Sequence, residues 1–190
     1  FLLKKELFCS IYTLFTASMD RETKNRSIIE RISINAMIAS IYFILTMATL
    51  PVSFLGMQIR IAEMLILLCF FRKDFVIGVS VGTLLANTMS PMFAWDMLFG
   101  TLATLISGLL IGYMKQLLIA ALIPVVINAF VVGLELHLIM GLPFWLNVGL
   151  VGLGEFIAVA IFGYLILLFL GKNEKFQEMI GTNQNYRFKW

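Results

Sequence analysis

The sequence predicts an all-α polytopic membrane protein, a compact bundle of six transmembrane helices with both termini in the cytoplasm. Three observations predict it. Ala, Val, Ile, Leu, Met, Phe, Trp, Cys and Gly together make up roughly two thirds of 190 residues and the charged set only 13%, where soluble domains average ~45–50% and ~25%. The charges lie between long apolar runs. Lys and Arg fall almost entirely on one side of those runs. Such a composition excludes a disordered chain, a disulfide scaffold and an ordinary soluble enzyme. The formal charge of +3 does not point to nucleic acid, because the basic residues stand singly or in pairs and form no basic face. Cys9 and Cys69 have no metal-ligand spacing and read as inert apolar side chains.

Each element follows from the gaps between charges. Span one covers about 29–50, after which Pro51, Ser53 and Gly56 mark a loop. Span two, about 58–71, is short and carries Arg60 and Glu63 near its start; Arg72-Lys73-Asp74 turns the chain. Span three is about 75–90, ending at Ser90-Pro91, and span four about 96–114, closed by Lys115-Gln116. Span five is about 117–140, interrupted by Pro124, and Gly141-Leu142-Pro143 leads into span six, about 146–170. Residues 19–171 thus form the membrane domain and 172–190 a cytoplasmic tail. Residues 1–18 are too short an apolar stretch to span a bilayer of ~20 residues and lack a cleavage pattern. They are expected to lie outside the functional protein.

With six spans, thirteen of the fourteen basic residues fall on one side, Arg60 alone on the other. The basic side is the cytoplasmic one, which orients the chain N-in/C-in in its membrane. Seven acids share that side. Glu63, Asp96, Glu135 and Glu155 remain, all in the outer half of the bundle. A carboxylate in hydrocarbon costs ~2.5–3.5 kcal/mol, so each should face the bundle interior or a wet cavity. Acids from several helices at similar depth predict one outward-opening polar pocket. Arg60, three residues before Glu63, shares its face. Asn128 lies two turns below Glu135 on span five. Asn87 ends span three, Asn147 begins span six, and Trp95, Phe144, Trp145 and His137 stand at the outer boundary.

Plainer readings compete. Arg60 and Glu63 would serve equally as an ion pair that lets a short helix insert. Asn87 and Asn128 fit interhelical hydrogen bonding, Trp95 and Trp145 an interfacial belt, and His137 an interfacial position. Glu135 and Glu155 are different, since no basic residue lies near either in sequence. Ala36-x-x-x-Ser40, with Ala39 beside it, makes a small-residue strip on span one suited to close helix contact. Gly78-Val-Ser80-Val-Gly82 matches a hydrolase elbow only formally: Ser80 and His137, the single histidine, lie some 20 Å apart in depth by helix rise. It is read as helix packing.

Six blocks in order resemble the queuosine-precursor transporter family called QueT. They are Gln58-Ile-Arg60-Ile-Ala-Glu63, Gly82-Thr-Leu-Leu-Ala-Asn87, Asp96-Met-Leu-Phe-Gly100-Thr-Leu-Ala-Thr, Asn128-Ala-Phe-Val-Val-Gly133-Leu-Glu135-Leu, Gly141-Leu-Pro143-Phe-Trp145 and Gly154-Glu155. The resemblance covers about residues 28–170. It implies the substrate-binding component of an energy-coupling factor (ECF) transporter, which docks on a transmembrane coupling protein driven by two cytoplasmic ATPases. It implies coupling-protein contact through Ala36, Ala39 and Ser40, with Ser40 a departure from the family's alanine, and a gating loop at about 51–58. The implied ligand is a 7-deazaguanine, such as 7-aminomethyl- or 7-cyano-7-deazaguanine, or queuine. A guanine edge offers two parallel N–H donors that one carboxylate accepts, a task for Glu135 or Glu155. A second acid suits an aminomethyl ammonium, Asn87 and Asn128 the purine carbonyl, and an aromatic such as Trp145 the ring face. Arg60, Glu63 and Asp96 complete the expected site. No cofactor or metal site is expected. No usable catalytic triad is visible, so the chain is not expected to be an enzyme; it carries no G-x-x-x-x-G-K-[ST] loop for ATP, so any energy source is expected on partners. A stand-alone secondary transporter is the alternative reading, and an intramembrane enzyme a weaker one.

Overall fold

The computed structural model describes residues 28–49, 60–174 and 176. The expected N-terminal extension 1–18, the loop 51–58 with Gln58, and the tail beyond 176 lie outside the described residues. Contacts divide the chain at Ile34 and Asn35. Of the first unit the described residues, 28–34, are helical. The second unit, Asn35–Trp190, holds all the other described residues.

Six helices make up the described chain, numbered in order: α1 Ile28–Ala48, α2 Ile61–Phe70, α3 Phe75–Asn87, α4 Phe93–Ile111, α5 Leu117–Met140 and α6 Phe144–Leu170. α1, α4, α5 and α6 are long and apolar enough to cross a membrane, whereas α2 and α3 are shorter. The helical expectation therefore holds, with corrections to individual spans. Span three stops at Asn87, and a turn over 88–92 delivers the chain to α4, which starts at Phe93. Pro124 does not interrupt α5, which runs through it unbroken. In an apolar bundle the missing backbone hydrogen bond is tolerated because neighbours re-satisfy the freed group.

Two helices are wound differently from the expected α form. α2 is a 3-10 helix over all ten residues, although runs beyond three or four are uncommon. Its rise of about 2.0 Å per residue stretches ten residues to about 20 Å, where an α-helix would cover about 15 Å. Its three-residue repeat also lines up one straight edge: Arg60, Glu63, Ile66 and Cys69 are all buried. α6 changes winding in its middle, with a π segment over Phe156–Gly163 that begins directly after Glu155.

α4 packs between α3 and α5, and α5 pairs with α6. α2 lies against α3, α4, α5 and the π segment of α6, which makes it the inner helix of the unit. The crossing with α6 is close at Gly163, where a Cβ would stand 3.1 Å from both Leu67 and Met64. α1 packs on α3 through the glycines of the Gly78–Gly82 stretch. A Cβ on Gly82 would sit 2.7 Å from Tyr42 Cβ, and the Gly78 amide donates to Asn35 Oδ1 at 2.8 Å. The elbow-like motif is thus a helix contact. Gly141, at φ 68°, ends α5 in the left-handed region and its amide donates to the His137 carbonyl. The His137 ring nitrogen Nδ1 meets the Leu142 carbonyl at 2.7 Å, so this histidine closes the α5–α6 turn.

Candidate functional site

The start of α2, the end of α3, the start of α4 and the end of α5 meet at the end of the bundle opposite the Arg72-Lys73-Asp74 turn. Each contributes a polar side chain that the apolar sequence around it drives inward. Arg60 immediately precedes α2, Asn87 is the last residue of α3, Asp96 lies in the first turn of α4, and Glu135 is five residues from the end of α5. All four are buried.

Three of these groups form a network. Arg60 Nη1 donates to Asn87 Oδ1 at 3.1 Å, and Arg60 Nη2 stands 3.8 Å from Asp96 Oδ1. Asn87 Nδ2 donates to the Asp96 backbone carbonyl at 2.7 Å. The Ser90 hydroxyl donates to Asp96 Oδ2 and accepts from the Met92 amide. One buried cation, one amide and one carboxylate therefore brace α2, α3 and the opening of α4 against each other. Gly100 makes room for this brace: a Cβ there would meet Asn87 Nδ2 at 2.7 Å.

A second tier lies deeper. The seven residues between Glu135 and Asn128 correspond to about 10 Å of helix. Asn128 lies beside the Glu155 carboxylate, and Glu155 lies within electrostatic reach of Glu63. The Tyr42 hydroxyl donates to Glu63 Oε1 at 2.6 Å, and Thr104 flanks the same carboxylate. The expected single depth is thus replaced by two levels, because Glu155 is the twelfth residue of α6 while Asp96 is only the fourth of α4.

The structure brings together seven of the eight substrate-site residues expected from sequence: Arg60, Glu63, Asn87, Asp96, Asn128, Glu135 and Glu155. Arg60 acts electrostatically on all four acids, and among the described residues it is the one buried cation. Four carboxyl groups therefore share one guanidinium. Their hydrogen bonding is incomplete: both oxygens of Glu135, Glu155 Oε2 and Glu63 Oε2 are buried with no hydrogen-bond partner among the described residues. A buried polar atom without a partner costs about 1–3 kcal/mol, more when charged. Such oxygens stand on three helices, α2, α5 and α6, with unmet acceptor capacity.

Trp145 does not join them. It is 74% exposed and packs edge-on against Phe144, as an interfacial aromatic does. Trp95 is exposed as well and lies against Phe99. Asn147 turns back to its own helix, donating to the Pro143 carbonyl at 2.8 Å. On α1, Ala36 and Ser40 are exposed, and Ser40 donates back to the Ala36 carbonyl at 2.8 Å. Ala39, expected on the same outward strip, is instead buried, its Cα 3.1 Å from where a Gly82 Cβ would be. It sits one position before Ser40, a step of about 100° around the helix, and this carries it to the face that packs on α3.

Sequence reasoning missed Tyr42 and Ser90. Tyr42 had a signal: a phenol in the middle of an apolar span needs a hydrogen-bond partner, and an unassigned buried acid was available. Ser90 had none beyond its place in the α3–α4 turn.

Similarity to known proteins covers the same residues. A family model described as QueT transporter matches residues 32–172, from α1 to the end of α6. A relative from Lactococcus lactis subsp. cremoris (strain MG1363), "Queuosine precursor transporter QueT", is 33% identical over 154 residues, covering 72% of this chain and 89% of its own length. No solved structure matches.

Proposed function

From the premise that this chain belongs to the QueT transporter family, we propose that it is an integral membrane protein that captures a queuosine precursor from outside the cell and is the substrate-binding component of an ECF-type importer. The precursor is a 7-deazaguanine. The observation that carries this reading is the set of buried carboxylate oxygens on Glu63, Glu135 and Glu155 that have no hydrogen-bond partner among the described residues. A guanine edge presents an N–H and an amino group side by side, which one carboxylate accepts, while its carbonyl needs a donor. Glu155 and Asn128, adjacent on α6 and α5, match that pattern. Arg60, Asn87 and Asp96 are engaged with one another and hold the pocket's shape.

Docking on a coupling protein is supported by α1, where Ala36, Met37, Ser40, Ile41 and Ile44 are all exposed. Two small residues one turn apart let another helix approach closely. Two partner ATPases would supply the energy. In this reading both termini are cytoplasmic, which the bias of Lys and Arg toward one side of the spans supports. Residues 19–171 are the membrane domain in this reading.

The test is a binding screen of purified protein against 7-aminomethyl-7-deazaguanine, 7-cyano-7-deazaguanine and queuine, with riboflavin, thiamine and biotin as controls. Binding of a deazaguanine, weakened by Glu155→Gln, upholds the site. Undiminished affinity in both Glu135→Gln and Glu155→Gln refutes it. Uptake in cells lacking the coupling protein and ATPases would favour a stand-alone secondary transporter instead.

A further inference from the structure

We infer that Lys73, Tyr113 and Lys115 form a clamp for the phosphate of an anionic phospholipid, at the end of the bundle away from the buried carboxyl groups. The inference needs only that the chain lies in a membrane, and it stands or falls apart from the nature of the transported solute.

Two turns build the clamp. Arg72-Lys73-Asp74 lies between α2 and α3, and residues 112–116 lie between α4 and α5. The turns touch through Lys73. A Cβ on Gly112 would stand 2.9 Å from Lys73 Cγ, so the bare glycine leaves the groove along which the lysine stem runs. The stem ends with Nζ 3.6 Å from the centroid of the Tyr113 ring. A free lysine loses much rotamer freedom on being held; here glycine and ring fix the side chain before any ligand arrives.

The charge of Lys73 is not answered by its neighbours. The acid of its turn is engaged elsewhere: Arg72 Nε donates to Asp74 Oδ1 at 2.9 Å, Arg72 Nη2 pairs with Asp74 Oδ2, and the same guanidinium lies 4.7 Å over the Phe75 ring. Among the described residues neither Lys73 nor Lys115 forms an ion pair, and both are exposed. A ring face holds an ammonium through its quadrupole, and the three N–H donors still call for oxygen acceptors. Tyr113 is 68% exposed and adds a phenolic hydroxyl. Lys115 follows it two residues later. Two ammonium groups and a phenol at one rim match an anionic phosphate.

The surroundings say that the phosphate belongs to a lipid. Ile77, Leu110 and Leu118 are exposed on α3, α4 and α5, each within three residues of the helix end that adjoins the clamp. Aliphatic side chains in that place suit acyl chains, while lysines and tyrosines at the ends of spans reach the headgroup level. Basic groups at that level attract anionic lipids.

The experiment is native mass spectrometry of the purified full chain released from detergent, with phosphatidylglycerol and phosphatidylcholine of matched acyl chains. Wild type is expected to prefer phosphatidylglycerol by about ten-fold or more at low salt, less as salt rises. The double variant Lys73→Gln/Lys115→Gln should bind both lipids equally. Lys73→Arg keeps the charge and should keep the preference; its loss there too would make the effect structural and overturn the inference. Lys172→Gln removes an exposed lysine just beyond α6 and should change nothing; a loss equal to that of the double variant would reduce the clamp to net charge and overturn it. Equal binding of both lipids by wild type overturns it outright. The deacylated headgroup glycerophosphoglycerol, at about a hundred-fold excess, should not displace the lipid, because acyl chains carry much of the binding. Displacement by that headgroup would assign the site to free phosphates, and displacement by a glutamate-rich peptide would assign it to an acidic protein; either result overturns the lipid clamp.

Discussion

The Tyr42 hydroxyl and Glu63 Oε1 are joined by a buried hydrogen bond of 2.6 Å. It links α1 to the 3-10 helix at the centre of the bundle. The face of α1 turned away from this bond carries Ala36 and Ser40, both exposed, so the pocket and the proposed docking strip lie on opposite sides of one helix. Tyr42→Phe keeps the ring against Gly82 and removes only the hydroxyl. It is expected to destabilise the protein by about 1–2 kcal/mol, read as a lower melting temperature in detergent.

Gly100→Ala tests the brace. The added Cβ stands 2.7 Å from Asn87 Nδ2 and 3.5 Å from Arg60 Nη1, so Asn87 must leave either Arg60 or the Asp96 carbonyl. Overpacking of this kind costs about 1–3 kcal/mol, and ligand binding should weaken with it. Gly149→Ala is the control, because a Cβ there meets nothing within 4 Å; its thermal stability should equal or slightly exceed wild type, since Ala favours a helix interior over Gly.

Asn128 and Glu155 should behave as a unit toward ligand. If both address one guanine edge, Asn128→Ala and Glu155→Gln each weaken binding by about ten-fold or more, and the double variant loses less than the sum, with an interaction of about 0.5–3 kcal/mol. Additive losses in a binding titration would separate their roles.

Bulk on the outer face of α1 tests docking. Ser40→Trp adds a large side chain at an exposed position and leaves the pocket residues untouched. Ligand binding by purified protein should equal wild type, while uptake in cells carrying the coupling protein and ATPases should fall by about ten-fold or more, the loss of roughly 1.4 kcal/mol of docking energy. Unimpaired uptake would remove α1 from the docking surface.

Most of the site was legible because charge in an apolar chain is informative by itself. Arg60, Glu63, Asp96, Glu135 and Glu155 stand out against runs with no other Asp, Glu, Lys or Arg, and the cost of exposing them to lipid forces them inward. The ends of α5 were legible, since Gln116 and Gly141 bound the stretch, but its continuity through Pro124 was not. Helix winding was not. Apolar periodicity has little meaning where every face is apolar, so nothing in Ile61–Phe70 distinguishes a three-residue repeat from a 3.6-residue one, and nothing in Phe156–Gly163 announces the wider π turn. The inward turn of Ala39 was hidden for the same reason: on a span with no polar face, only the glycines of α3 decide which side of α1 packs.

The change of winding after Glu155 has a bearing on insertions and deletions. A one-residue deletion in the α-helical part between Phe144 and Glu155 would swing Glu155 by about 100° relative to the α5–α6 turn and take its carboxylate out of register with Asn128. A wide coil holds one residue more per turn than an α-helix. Losing one residue within Phe156–Gly163 would tighten that coil toward ordinary winding, keep Glu155 aimed as it is, and leave Tyr164–Leu170 near its present bearing. The π segment thus acts as slack, isolating the aim of the pocket from changes in the far half of the same helix.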